Sequence, residues 1–237
     1  MKGTSDLPSG ISGSGPIRLQ TELFAYVFPS SVGQDALGKV KMRWKAEVKP
    51  FASTPTLKIN GAQSSVHVVQ GAFNRDECER IVLLGESGAR VVAEVEKGYA
   101  AMRTSELTWV QPSTDTHWLY HRIGLLFLEA NRAYQFDLVG LQEPLQFSRY
   151  SAGGRFDWHV DMGGRATAGR KLSLSIQLTD SSQYDGGDLG FLSNAGKGAR
   201  ERGAAIIFPS FLAHRVAPVT QGLRHALIAW AYGPSFV

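Results

Sequence analysis

Apolar and charged positions alternate strictly along Val40-Lys41-Met42-Arg43-Trp44-Lys45-Ala46-Glu47-Val48-Lys49, the two-residue period of a half-buried strand. Its outward face carries Lys41, Arg43, Lys45 and Lys49. No aromatic residue shares that face, Trp44 falling on the other, so the pattern favours a solvated edge strand guarded by lysines over a nucleic-acid surface. Ser65–Val69 reads as a short strand. At Asn74-Arg75-Asp76-Glu77 the chain signals a helix: Asn74 suits an N-cap and Glu77 stands at the capping-box position. This helix is expected to run to about Glu86. Val91–Val95 and Arg103–Val110 read as strands. The longest helix is expected from Thr114 to Tyr134, with Trp118, Ile123, Leu125, Leu126 and Leu128 on its apolar side.

From Leu145 the character changes. Short strands are predicted at 145–151, 155–161, 171–179, 188–192, 204–208, 213–219 and 224–232, separated by Gly, Asp, Asn or Pro. This spacing points to a β-sandwich or jelly roll. In the 171–179 strand, Leu172, Leu174, Ile176 and Leu178 make one face and Ser173, Ser175 and Gln177 the other. The polar face either meets water or lines a solvated pocket. The fold class read from these patterns is mainly β with flanking helices (α+β). Residues 1–20, low in large apolar side chains, are expected to be disordered. Residues 21–60 are expected to extend a sheet edge with β structure. Residues 61–237 form the main domain, with a jelly-roll core at about 145–234.

Composition narrows the class. Apolar residues make up 43% and charged residues 19% of the 237 positions, which places the chain among soluble globular proteins rather than disordered ones. The net charge of +4 is too small to demand an acidic partner. One cysteine, Cys78, cannot form an internal disulfide. The first residues lack the apolar region of a secretory signal, and no run is long enough to cross a membrane. A cytoplasmic location and no membrane partner are expected; the oligomeric state is not readable.

The chemistry concentrates near the C-terminal end. His159-Val160-Asp161 places two metal ligands on one face of a predicted strand. His214 adds a third if the fold brings two strands together. Two histidines and a carboxylate form the facial set of a non-haem ferrous site with open positions. Arg224, at the start of the last strand, suits bidentate capture of a carboxylate. Tyr150 lies on the strand before His159 and can add a hydroxyl to the same acid. Other patterns carry less. His117 and His121 share a helix face but have no third ligand. Gly164–Lys171 has glycine spacing without the Lys-Ser/Thr ending of a phosphate loop. Ser210 and His214 lack a nucleophile elbow. His225 faces away from Arg224.

These stretches resemble a known family. Arg149-Tyr150-Ser151-Ala152-Gly153-Gly154, Trp158-His159-Val160-Asp161, Arg170-Lys171-Leu172-Ser173, Tyr184-Asp185-Gly186-Gly187-Asp188-Leu189, Phe208-Pro209-Ser210, His214–Thr220 and Gly222-Leu223-Arg224 look like the 2-oxoglutarate and Fe(II) dependent dioxygenases, in the prolyl 4-hydroxylase-like, PKHD-type branch. The resemblance implies a double-stranded β-helix, or jelly roll, in which His159, Asp161 and His214 bind Fe(II). It implies that Arg224 pairs with the far carboxylate of 2-oxoglutarate and that Tyr150 hydrogen-bonds to it. Ser173, Ser175 and Gln177 would line the same pocket, and Trp230 would lie beside the co-substrate. The implied reaction uses O2, with ascorbate as a supporting reductant. It hydroxylates an unactivated C–H of a peptide or protein side chain, an amino acid or a natural product, releasing succinate and CO2. Arginine at 224, and Phe156 where many members carry tyrosine, argue against proline as the target. The alternative is a non-catalytic metal or small-acid binding module on the same fold. A related halogenase is set aside because Asp161 is present. The substrate-specific wall is expected from residues 93–110, 162–170 and 180–187.

Overall fold

A computed structural model describes residues 60–92, 102–192 and 198–234, together with the backbone of four short strands among the first 59 residues. Alternation along the C-terminal strands decides how the layers stack. Leu227, Ala229 and Ala231 join one core cluster with Leu145, Phe147, Leu172, Leu174, Ile176 and the two helices. Tyr150, Ile206 and Phe208, on the opposite face, join a second cluster with Leu189, Val216 and Val219. One sheet is therefore buried on both sides, against helices on one face and a second sheet on the other.

The larger sheet places the strand Arg224–Tyr232 between Leu145–Tyr150 and Arg170–Gln177, antiparallel to both. Glu106–Val110 and then Val91–Val92 extend it beyond Leu145–Tyr150. Ala205–Pro209 and His67–Val69 extend it beyond Arg170–Gln177. The smaller sheet runs Leu189–Phe191, His214–Val216, Arg155–His159, Arg103–Thr104. These facing antiparallel sheets are the expected jelly roll. Of the N-terminal strands, Ile17–Arg18 pairs with Phe24–Val27, which pairs with Gly140–Leu141 at Tyr232; Ser31–Gln34 pairs with Val40–Arg43. The disorder expected for 1–20 falls outside the described residues except at the strand Ile17–Arg18, and the 44–49 part of the alternating segment and 93–95 of the expected 91–95 strand lie outside them too.

Helix α1, Arg75–Glu86, begins at the expected cap: the Asn74 side chain accepts from the Glu77 N–H at 2.9 Å, and the Glu77 carboxylate accepts from the Asn74 N–H at 2.9 Å. A Cβ at Gly85 would meet the Phe147 ring at 2.2 Å, so glycine there sets how closely α1 lies on the sheet. Helix α2, His117–Tyr134, buries Leu119, Tyr120, Ile123 and Phe127.

Three expectations change. Arg103–Val110 is two strands in different sheets, because the chain crosses between layers at Ser105. The 213–219 strand divides into His214–Val216 and Val219–Gly222, broken at Pro218, which has no N–H to give a ladder. The 155–161 strand ends at His159, with a register shift after Phe156. Tyr184–Gly186, which has no clear alternation, pairs with Val219–Gly222.

Candidate active site

His159 and His214 are register partners on adjacent strands of the smaller sheet. Asp161 lies in the bend just past the strand rather than on it, so a turn and not strand alternation brings it round. Its N–H donates to the Ser210 carbonyl at 2.9 Å, and its own carbonyl accepts from Arg170 Nη1 at 3.1 Å. His159 Nδ1 lies 2.7 Å from the Asp157 carbonyl, and His214 Nδ1 lies 2.9 Å from the Leu212 carbonyl. A carbonyl only accepts, so each Nδ1 carries a proton, which in the neutral ring leaves Nε2 as the ligand atom. Both Nε2 atoms sit 3.6 Å from an Asp161 oxygen. One ligand atom from each residue falls within 4.8 Å of the others, an arrangement that fits a single metal ion.

The electrostatics prepare that donor set. Burial opposes charge on Asp161, but His214, His159 and Arg170 outweigh it and hold the carboxyl well below the usual range. Burial lowers the His214 pKa against the pull of Asp161, which favours the neutral imidazole. A carboxylate with neutral imidazoles is the protonation state that a divalent cation needs. Ser173 Oγ donates to Asp161 Oδ2 at 2.6 Å and lies 2.9 Å from Ser210 Oγ. Phe156 stacks on His159 at 3.5 Å, and Phe208 meets His214 edge-on at 4.6 Å.

The triad opens on a cavity of about 890 Å³ between the sheets. Arg224 lines it at 1% exposure, yet its Nε and Nη1 have no partner among the described residues. A buried guanidinium without an anion is costly, so this one calls for an acid from outside the chain. Its ring neighbour is Tyr150, 5.3 Å away. Gly187, at φ +67°, makes room for it: a Cβ there would stand 2.9 Å from Arg224 Cδ. Trp230 Nε1 also has no partner among the described residues, and Arg170 stacks on the Trp230 ring at 3.8 Å. The donor set fits iron, and the orphaned cation fits the far carboxylate of a dicarboxylic acid.

The remaining sequence-predicted residues divide. Tyr150, Ser175 and Trp230 line the cavity with the triad and Arg224. Ser173 stands behind Asp161. Gln177 is buried beside Ala226 and does not line the cavity, and its Nε2 has no partner among the described residues. His225 faces the helices, stacking on Phe147 at 5.3 Å. His117 and His121 stack on α2 at 6.2 Å, outside the ligand cluster. Of the expected wall, 93–110 supplies Met102, Arg103, Leu107 and Trp109 and 162–170 supplies Gly163, Thr167 and Arg170, whereas 180–187 does not line the cavity; Gln146, outside those stretches, does. Arg170 sits beside the polar strand and was legible as part of that segment. Gln146 depends on strand register, which the sequence does not display.

A jelly roll with a His–Asp–His cluster facing a buried, unpaired arginine defines a mononuclear metal-site protein built to receive a small acid. The 2OG-Fe(II) oxygenase superfamily model matches residues 145–232. A PKHD-type hydroxylase of Stutzerimonas stutzeri is 30% identical over 175 residues, covering 68% of this chain and 76% of the relative. One from Synechococcus is 34% identical over 99 residues, and that match spans 44% of its length and 40% of this chain. In fold, the chain is similar to a Pseudomonas putida prolyl-4-hydroxylase, with a TM-score of 0.57 at 20% identity, covering 72% of this chain and 94% of that one. The chain belongs to the PKHD-type hydroxylases of the 2OG-Fe(II) oxygenase superfamily.

Proposed function

We propose that this chain is an Fe(II)- and 2-oxoglutarate-dependent hydroxylase of a C–H bond in a peptide or protein side chain, an amino acid or a natural product. The observation that carries this reading is the fully buried Arg224, unpaired among the described residues, in the same cavity as the three converging ligands. His159, Asp161 and His214 would hold the iron. Arg224 would pair with the far carboxylate of 2-oxoglutarate, with Tyr150 as a hydroxyl partner and Trp230 and Ser175 along its sides. When bound, iron, 2-oxoglutarate and O2 together supply the oxidation that turns C–H into C–OH, yielding succinate and CO2. The residues' own part is to orient and to exclude water. Ser173 Oγ fixes the Asp161 carboxylate, and the Ser210 carbonyl holds the Asp161 backbone N–H. The Nδ1–H contacts fix both imidazoles. The apolar walls Leu107, Ile228 and Phe208 keep the reacting carbon dry.

The catalytic unit in this reading is residues 61–237, with 21–60 extending the sheet edge. No described helix is long and apolar enough to cross a membrane. The single cysteine, Cys78, buried and pushed up to about 11 by burial, supports a cytoplasmic location because it needs no oxidising compartment. The test is succinate release from 2-oxoglutarate with ferrous iron, O2 and ascorbate, screened over amino acids, peptides and cell extract with mass detection of product. Succinate release that depends on His159 supports the reading. Iron-loaded protein that releases none with any addition contradicts it.

A further inference from the structure

Arg103 is the second cavity arginine without a carboxylate partner among the described residues; Arg170, the third, pairs with Glu143 at 2.5 Å. Arg103 is held in place. Its Nε donates to Ser105 Oγ at 2.8 Å and its Nη2 to Ser148 Oγ at 3.2 Å. Ser148 Oγ also accepts from Gln146 Nε2 at 3.0 Å. The guanidinium lies 4.6 Å from the centroid of the Phe156 ring. His159 already covers one face of that ring at 3.5 Å, so Arg103 takes the other. One aromatic ring thus separates this cation from a metal ligand. The fork keeps both N–H groups of Nη1 and one of Nη2 without an acceptor among the described residues.

We propose that Arg103 recognises a carboxylate of the primary substrate, so that the substrate is an acid whose oxidised carbon lies a few bonds from that group. This rests on the hydroxylase reading. With Arg224 assigned to 2-oxoglutarate and Arg170 paired with Glu143, Arg103 offers a single fork among the described cavity residues, which suits a carboxylate, a monoanion, better than a phosphate dianion. Trp109 and Leu107 offer the rest of the molecule an apolar wall. The acid is either the main-chain carboxylate of a free amino acid or an acidic side chain of a peptide. Both present the same group to Arg103.

The experiment uses anaerobic protein loaded with ferrous iron and 2-oxoglutarate, titrated by calorimetry. The probes are free L-amino acids with their carboxamides, and capped tripeptides containing Glu or Asp with their Gln or Asn counterparts. The wild type should bind at least one carboxylate probe on the order of 30-fold or more tighter than its amide. The arm that gives the preference identifies the source. Arg103→Met should erase the preference while 2-oxoglutarate affinity stays near wild type. Arg103→Lys, which keeps the charge without the fork, should fall between and guards against a folding defect in the first variant. Equal binding of acids and amides, a preference that survives in Arg103→Met, or no binding of any acid to the loaded protein overturns the proposal. Wild-type protein that holds iron but not 2-oxoglutarate fails the hydroxylase reading instead, and the inference with it.

Discussion

Arg224 is the residue on which substitution should act most selectively. It is fully buried and its open N–H groups face the cavity, so removing it deprives an incoming carboxylate of its charged partner. Arg224→Ala should weaken 2-oxoglutarate binding by about 2–5 kcal/mol, read as a raised Michaelis constant or dissociation constant. Arg224→Lys should be intermediate, since an ammonium cannot reproduce the fork. The same response to both substitutions would remove the fork from the account. At the metal, His159→Ala, Asp161→Ala and His214→Ala should each abolish stoichiometric ferrous binding while leaving circular dichroism close to wild type. The triad and Arg224 were legible because their spacing is short or their neighbours distinctive. Arg103 was legible only as part of the 93–110 stretch, and Gln146 not at all: each sits in an ordinary strand sequence, and only the pairing of Glu106–Val110 with Leu145–Tyr150, and the crossing at Ser105, turns them toward one cavity.

Helix α1 tests the element scale. Its capping box satisfies two backbone N–H donors at the first turn, so Asn74→Ala should cost about 1 kcal/mol in chemical denaturation. Glu77 also receives Arg122 at 2.8 Å, and this pair, then the Asn74 N–H, lowers its pKa from the ordinary value. A lowered folded pKa means that the contribution is complete above the ordinary carboxylate range and is lost as pH falls through the depressed value. Glu77→Gln should therefore be less stable than wild type near neutrality and converge with it in acid. A gap that stays constant with pH would assign the loss to shape rather than charge. Gly85→Val should destabilise by about 1–3 kcal/mol, because its branched side chain would enter the Phe147 ring. The cap was legible in four residues. The role of Gly85 was not, since it depends on a sheet strand distant in sequence. The division of 213–219 was signalled by Pro218. The division of 103–110 had no local signal, because both halves keep strand-like residues across the switch.

At the scale of the whole molecule, one sheet is shared by two cores. Its helix-side face anchors α1 and α2, while its inner face, with the smaller sheet, encloses the site. Alternation in the C-terminal strands made the jelly roll legible, and the polar face of Arg170–Gln177 marked the inner side. How far each strand reaches was less legible, because turns such as the bend at Asp161 are set by contacts across the cavity. The account holds that the His–Asp–His cluster and Arg224 act on one bound molecule. The direct measurement is titration of 2-oxoglutarate into anaerobic ferrous protein, following the visible metal-to-ligand charge-transfer band. The wild type should develop a saturable band, Arg224→Ala the same band only at much higher co-substrate, and His159→Ala none. Wild-type protein that holds ferrous iron yet shows no band even at millimolar 2-oxoglutarate would contradict the account and leave a metal-binding module on the same fold.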